Sequence, residues 1–326
     1  MLGTLPAADE AARSVARDRQ GNLTKPPGSL GRLEELAIFL AGWGRQPRPL
    51  VDTAKTVVFA GNHGVTAQGV SPYPPDVTMQ MVANFHNGGA AINAITNVAG
   101  AQLQVIALDL DEPTQDITVA DAMSEDDLLA ALNAGAEAVT PDLDLIAVGE
   151  MGIGNTTIAA ALAARCFGGT GADWAGPGTG LDDAGVKTKA QVIDKALARY
   201  NKTATSLTCL KSIGGREIAA IAGAVVAARH QRVPVVLDGY VATAAVAPLY
   251  IERPEIVDHC IAGHVSAEPA HRRLLSEMQL DPLLDLGMRL GEGTGASLAI
   301  TLLKAAAATH NNMATFAEAA VSNRDS

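Results

Sequence analysis

Five short apolar runs rich in β-branched residues mark the middle of the chain: KTVVFAG from Lys55, QLQVIALD from Gln102, LDLIAVG from Leu143, RVPVVLDG from Arg232 and IVDHCIAGH from Ile256. Most end in Gly or Asp and give way to helical spacing, over roughly 76–99, 124–139, 155–166, 186–200, 216–230 and 267–278. Short strands apolar on both faces, alternating with helices, predict an α/β fold with a mostly parallel sheet covered on both sides. Before Lys55 the pattern is helical with breaks. In LTKPPGSLGRLEELAIFLAGWG a Pro-Pro-Gly stop precedes Ser29 as the expected N-cap, and Leu30, Leu33, Leu36, Ala37 and Leu40 share a face. Ala-rich helical spacing returns over roughly 294–309 and 313–321. The organisation expected is a large α/β domain over 50–285 and a small helical domain made from 1–49 and 286–326.

Composition narrows the function classes. Of 326 residues, 48% are hydrophobic and 18% charged, enough apolar material for a large core. Aromatics are only 3% while Ala and Gly abound, so helices and strands should approach closely. A net charge of −11 argues against non-specific nucleic-acid binding, which needs a basic surface. Any phosphate must then be held locally, by backbone N–H groups and one or two cations. No apolar run approaches the ~18 residues of a membrane span. The N-terminus lacks an apolar core of signal-peptide type. Cys166, Cys209 and Cys260 are odd in number and far apart, as buried thiols in a reducing compartment are. A cytoplasmic protein without a membrane anchor is expected.

In open parallel sheets, ligands bind beyond the carboxyl ends of the strands. Those ends here carry Gly61-Asn62-His63-Gly64, Gly149-Glu150-Met151-Gly152, Asp238-Gly239-Tyr240 and Gly263-His264-Val265-Ser266, each combining glycine with polar groups. VGEMGIGNTT (148–157) bends after a strand, and Asn155, Thr156 and Thr157 open the next helix. The first-turn N–H groups and the helix dipole there favour an anion, typically phosphate. The order is GxxGxG, neither the dinucleotide GxGxxG nor a P-loop, which argues against a dinucleotide dehydrogenase. Glu150 faces a different part of any ligand than its phosphate.

LGEGTGAS (290–297) sets Glu292 between two glycines, where no bulky neighbour blocks a ligand, ahead of a helix for which Thr294 is the expected N-cap. An ordinary glycine turn with a surface acid has the same local sequence. His63 and His264 could each serve as a general base, or be turn histidines bonded to a carbonyl. Lys187 and Lys189, at the start of a helix, could reach a phosphate as point charges or be solvated. With no HExxH, no Cys/His cluster and no GxSxG elbow, neither a metal site nor acyl-enzyme chemistry is expected.

Seven segments in order complete the picture: LTKPPGSLGRLEELA (23–37), FAGNHGV (59–65), VGEMGIGNTT (148–157), GGREIAAIAGA (214–224), LDGYVATAA (237–245), GHVSAEPAHRRLL (263–275) and MRLGEGTGAS (288–297). Together they resemble the nicotinate-nucleotide:dimethylbenzimidazole phosphoribosyltransferase family, which builds the lower nucleotide loop of cobalamin. The resemblance runs from about 22 to 320. It implies transfer of phosphoribose from nicotinate mononucleotide to a benzimidazole nitrogen, with inversion at the anomeric carbon, giving α-ribazole 5′-phosphate and nicotinate. It implies no metal or redox cofactor, a Rossmann-like sheet with a small helical domain from both termini, and a homodimer. It makes Glu292 the general base and sets Glu150 near the reacting centre. Gly152, Gly154, Asn155, Thr156 and Lys189 would contact the nucleotide, with Lys187 the competing lysine, and Ser266 would lie near the phosphate. For the apolar base, Tyr73, Gln80, Met81, Met151, Leu290 and Gly291 are the candidate walls. Two other readings keep the same residues: transfer to another acceptor, such as adenine or a phenol, and a non-catalytic nucleotide-binding subunit. The second would need the acids lost, and both are present.

Overall fold

The computed structural model describes residues 2–200 and 205–322; residues 1, 201–204 and 323–326, of which the first and the last four fall in the expected helical domain, lie outside the described residues. One six-stranded sheet organises the chain, built from β1 (Ala54–Ala60), β2 (Gln102–Ala107), β3 (Leu145–Met151), β4 (Val235–Leu237), β5 (Cys260–His264) and β6 (Pro282–Leu284). The order is β2-β1-β3-β4-β5-β6 and every pairing is parallel, so the α/β expectation holds. The order reverses between β1 and β3, which puts the crevice expected of such sheets beyond Ala60 and Met151.

The inner strands β1, β3, β4 and β5 are apolar on both faces because both are covered, while the edge strand β2 exposes Gln102 and Gln104. Val57, Phe59, Ile146, Val148, Val235 and Leu237 face a core shared with helices Glu125–Glu137, Asn155–Phe167, Arg216–Gln231 and Tyr240–Glu252. The alternate positions Ala147, Val236 and Ile261 face the helix Thr294–Asn312, through Ala296, Ala299, Ile300 and Leu303. Val58 packs with Phe85 and Ile92 on the helices Asp76–His86 and Ala91–Ala99. Helices Glu10–Asn22 and Arg32–Gly44 pack on each other, and the second packs on Thr294–Asn312. Leu23 pairs with Thr315 in an antiparallel bridge that ties the two ends of the chain.

Several local expectations are corrected. The helical span 76–99 is two helices, because the chain turns at Asn87-Gly88-Gly89 with Gly88 at φ 75. The span 313–321 is a bridge and turns, closed by Phe316 N donating to Asn22 O. Ser29 is not the N-cap of the second helix, which starts at Arg32 behind Gly31 at φ 51. Likewise Gly293, not Thr294, caps the last long helix. Strand β6 and the helices Ser206–Ile213 and Tyr240–Glu252 had no counterpart in the periodicity reading.

Candidate active site

At the carboxyl ends of β3, β4 and β5 stand Glu150, Asp238 (one residue past β4) and His264, each buried. Above them an open cleft is lined by Glu150, Met151, Asn155, Thr156, Ser266 and Leu290 among others. One end of this cleft is acidic and the other cationic.

At the acidic end, the turn Gly291-Glu292-Gly293 runs through three consecutive left-handed residues, at φ 80, 61 and 78. Glycine takes that conformation freely; glutamate does so only where its surroundings impose it. Here they do. Glu292 N donates to Glu150 O at 3.1 Å, Thr294 N to Gly291 O at 3.1 Å, and Gly293 N to Asp238 Oδ2 at 3.1 Å. The backbone of Gly293 lies so close on Gly149 that a Cβ at Gly149 would collide with it. A Cβ at Gly291 would stand 2.6 Å from Glu150 Oε1. The flanking glycines therefore let the turn lie directly on the end of β3.

Glu292 is 4% exposed, and its Oε2 has no hydrogen-bond partner among the described residues. Burial, with Asp238 adding to it, pushes its carboxyl up to about 7. Glu150 is pushed up to about 8, first by burial and then by the charges of Asp238 and Glu217, against a hydrogen bond from Asn155 Nδ2. Both acids are thus partly protonated near neutrality.

At the cationic end, Lys189 lies on the buried stripe Lys189, Ile193, Ala196 of the helix Asp183–Leu197, at i, i+4 and i+7. Its Nζ donates to Thr156 Oγ1 at 2.8 Å and Gly176 O at 3.1 Å. Burial lowers its pKa to about 8, opposed by Glu268. Thr156 belongs to the first turn of the helix Asn155–Phe167, capped by Gly154 at φ 93, so an ammonium and a helix N-terminus meet there. That pairing suits an anion. Arg289 reaches the same rim, Nη1 donating to Gly178 O at 3.3 Å. Ser266 is fixed by its N–H donating to His271 Nδ1 at 2.8 Å, while its Oγ accepts from Glu268 N at 3.2 Å. Burial drops His271 to about 3, so the ring is neutral and bonds Thr243 through Nε2.

The fold brings Glu150, Met151, Gly152, Asn155, Thr156, Ser266, Leu290 and Gly291 to this cleft, with Gly154, Lys189 and Glu292 against it. Lys187 stays exposed, two residues and about 200° round the helix from Lys189. Tyr73 is half exposed in the loop before the helix Asp76–His86, and Gln80 is exposed on that helix; neither lines the cleft. The reason is helical phase. Thr78 Oγ1 accepts from Ile153 N at 3.2 Å, so Thr78 faces inward and Gln80 points away. Met81 is half-buried beside Met151 in the Val58–Phe85 cluster. His63 is sealed under Gly152, with Nε2 2.7 Å from Glu217 Oε1, and does not line the cleft; His264 does. Sequence reading had placed Asp238 in a strand-end turn without giving it a role and had not singled out Glu268 or Arg289; Asp238 follows the Val148–Leu237 pair and is level with Gly149.

A family model described as phosphoribosyltransferase matches residues 5–321. The chain is 57% identical over 323 residues to a Novosphingobium aromaticivorans protein named nicotinate-nucleotide–dimethylbenzimidazole phosphoribosyltransferase, covering 99% of this chain and 96% of that one. A Ruegeria pomeroyi protein of the same name is 56% identical over 323 residues, with 99% and 96% covered. Among solved structures, the Thermus thermophilus enzyme of that name superposes with a TM-score of 0.89 at 40% identity, covering 97% of this chain and 99% of the other.

Proposed function

The chain belongs to the nicotinate-nucleotide–dimethylbenzimidazole phosphoribosyltransferase family, and on that footing we propose how its cleft carries out the transfer. The phosphoribosyl donor is nicotinate mononucleotide and the acceptor 5,6-dimethylbenzimidazole. The donor's phosphate sits at the cationic end, on Lys189, Thr156 and the N-terminus of the helix Asn155–Phe167, near Ser266. The acceptor's ring lies towards the acidic end, against Met151, Leu290 and Gly291. Its free nitrogen attacks C1′ of the ribose from the face opposite nicotinate. The C1′–N bond to the pyridinium breaks, its electron pair stays on nicotinate, and the configuration at C1′ inverts. Glu292 takes the proton from the acceptor's other nitrogen, so the positive charge built by the attack is relieved as it forms. Nicotinate leaves from an already cationic nitrogen, which needs no acid, and alignment of the two partners supplies much of the rate. Glu150 stands beside the reacting centre and steadies the Glu292 turn.

One observation carries the assignment of Glu292: a buried carboxylate with an unpartnered oxygen, in a backbone conformation that glutamate seldom adopts, with its pKa raised towards neutrality. Near pH 7 such a group is ionised in part and is a stronger base than a solvated glutamate. The test is Glu292→Gln. Product formation, followed by mass spectrometry, should fall by a factor of about 10² to 10⁴. Nicotinate mononucleotide should still bind with a Kd within about twofold of the parent. Unchanged turnover would remove Glu292 from the mechanism. Adenine or a phenol offered with dimethylbenzimidazole in the same assay identifies the preferred acceptor.

The division at about residues 50 and 285, a homodimeric assembly and a cytoplasmic location belong to the same proposal. The Leu23–Thr315 bridge supports the first. Light scattering on the purified protein tests the second.

A further inference from the structure

Asp238 stands one residue beyond β4, with its N–H donating to Val148 O at 3.3 Å, so it continues the ladder beside β3. Its carboxylate is 1% exposed. Both oxygens are engaged by the start of the last long helix: Oδ2 accepts from Gly293 N at 3.1 Å and Oδ1 from Ala296 N at 2.8 Å. Neither Gly293 nor any residue of that first turn supplies a side-chain cap of its own. Asp238 is therefore an N-cap in trans, from a strand end more than fifty residues earlier, for the helix that carries the Glu292 turn.

We propose that Asp238 is a positioning residue for the general base: it clamps the Gly291–Gly293 turn on the sheet and sets its carboxylate beside Glu292. The inference deepens the reading of Glu292 as base and rests on it.

The two effects have different physical origins. The clamp satisfies two N–H groups at the positive end of a helix, a place where a carboxylate is favoured. It bears on position because Glu292 is held in a left-handed backbone only by its neighbours, and Gly293 N is one of those anchors. The charge acts through space. After burial, Asp238 is the cause that raises the Glu292 carboxyl, and it raises Glu150 too. The other titratable groups facing this corner are Glu150 on β3 and His264 on β5, whose Nε2 lies 3.6 Å from Asp238 Oδ1. The Glu217–His63 pair lies behind Glu150. Lys189, Glu268 and Arg289 belong to the opposite end. Removing the Asp238 charge therefore leaves the phosphate end unaltered and weakens Glu292 as a base.

The experiment compares Asp238→Asn, Asp238→Glu and Glu292→Gln in the full-length enzyme, by pH profiles of kcat and by Kd for nicotinate mononucleotide. Asp238→Asn keeps the size but loses the charge and one of the two oxygens that accept from Gly293 N and Ala296 N. Its acid limb should move to lower pH by about one unit, with kcat down at least tenfold and Kd within twofold. Asp238→Glu keeps the charge but not the reach, so kcat should fall with the acid limb in place. If Asp238→Asn does not fold, the Asp238→Glu profile alone decides. An acid limb that stays put in Asp238→Asn, or moves in Asp238→Glu, overturns the proposal, as does a parallel rise in Kd. A Glu292→Gln variant that still turns over refutes the base assignment itself, and an inactive one beside an unmoved Asp238→Asn limb refutes only the role of Asp238.

Discussion

Replacing Glu150 by Gln should make the protein more stable at alkaline pH, by an amount the structure allows to be worked out. Glu150 is buried at the cleft floor, and its carboxyl is raised from 4.5 to about 8. A raised acid binds its proton more tightly folded than unfolded. Its stabilising contribution is therefore complete below pH 4.5 and is lost as pH rises towards 8. At 1.36 kcal/mol per unit of separation, the loss is about 2 kcal/mol at pH 6 and about 4 kcal/mol at pH 8. Gln fills the same space, keeps an oxygen for the Asn155 amide, and does not titrate. The difference in unfolding free energy between Glu150→Gln and the parent should thus grow in the variant's favour by about 2 kcal/mol from pH 6 to pH 8. Urea unfolding, followed by the fluorescence of the buried Trp43 and Trp174, measures it. Only the change with pH matters, since a constant offset reflects how well the amide packs. A difference equal at the two pH values would mean that Glu150 is not held protonated by burial, and the account of the acidic end would fail.

Three further outcomes follow from the same geometry. Gly149→Ala puts a Cβ into the Gly293 backbone, and should cost about 1–3 kcal/mol in chemical unfolding and reduce kcat by displacing the Glu292 turn. Lys189→Met should weaken nicotinate mononucleotide binding in calorimetry by about ten- to a hundredfold, the worth of a charged hydrogen bond, while Lys187→Met leaves it unchanged. The kcat profile of the parent should fall on its acid side with a midpoint of about 7, as Glu292 takes up a proton, and Glu292→Gln should abolish that limb.

The fold was legible where periodicity is strong, and the misses have local causes. β1, β3, β4 and β5 announce themselves because both faces are buried, and the edge strand β2 by its Leu103, Val105 and Ile106, whereas β6 is only Pro282-Leu283-Leu284, half-buried at the other edge, with no alternation to read. The span 76–99 kept helical spacing across Gly88-Gly89 because the residues on either side serve one core cluster through Phe85 and Ile92. In the site, Glu292 stood out because glycines bracket it. Asp238 did not, because its partners Gly293 and Ala296 come from a helix that the sheet order alone brings across β4. Lys189 was separable from Lys187 only through the phase of the buried stripe, which extends to Ala196. Gln80 and Tyr73 show the converse: their residue types suit a wall, but the bond between Thr78 and Ile153 fixes the helix with Gln80 outward.

The ordering of these ionisations bears on how an acidic protein accepts an acidic substrate. Nicotinate mononucleotide carries a phosphate and a carboxylate against one pyridinium charge, and the chain is itself at −11. Four carboxylates, Glu150, Glu217, Asp238 and Glu292, crowd the ends of β3 and β4 and the helices beside them. Fully ionised, they would repel the donor. Burial changes that by holding Glu150 mostly protonated below about 8 and Glu292 partly so below about 7. Lys189, at about 8, remains mostly charged at neutrality, and the helix N-terminus beside it does not titrate. The donor therefore meets a cationic end that is charged and an acidic end whose charge is reduced at Glu150 and Glu292. The base strength of Glu292 comes from the same cause, since the burial that keeps it protonated makes it hold a proton more tightly once ionised. The cost is a narrow working range: below about 7 the base is increasingly protonated, and above about 8 Lys189 loses its charge while Glu150 gains one. Nicotinate mononucleotide affinity should consequently fall as pH rises through 8 in the parent enzyme. Glu150→Gln should flatten part of that fall, and Lys189→Arg, whose charge persists, should flatten the rest. An affinity constant from pH 7 to pH 9 in the parent would show that neither group governs entry of the donor.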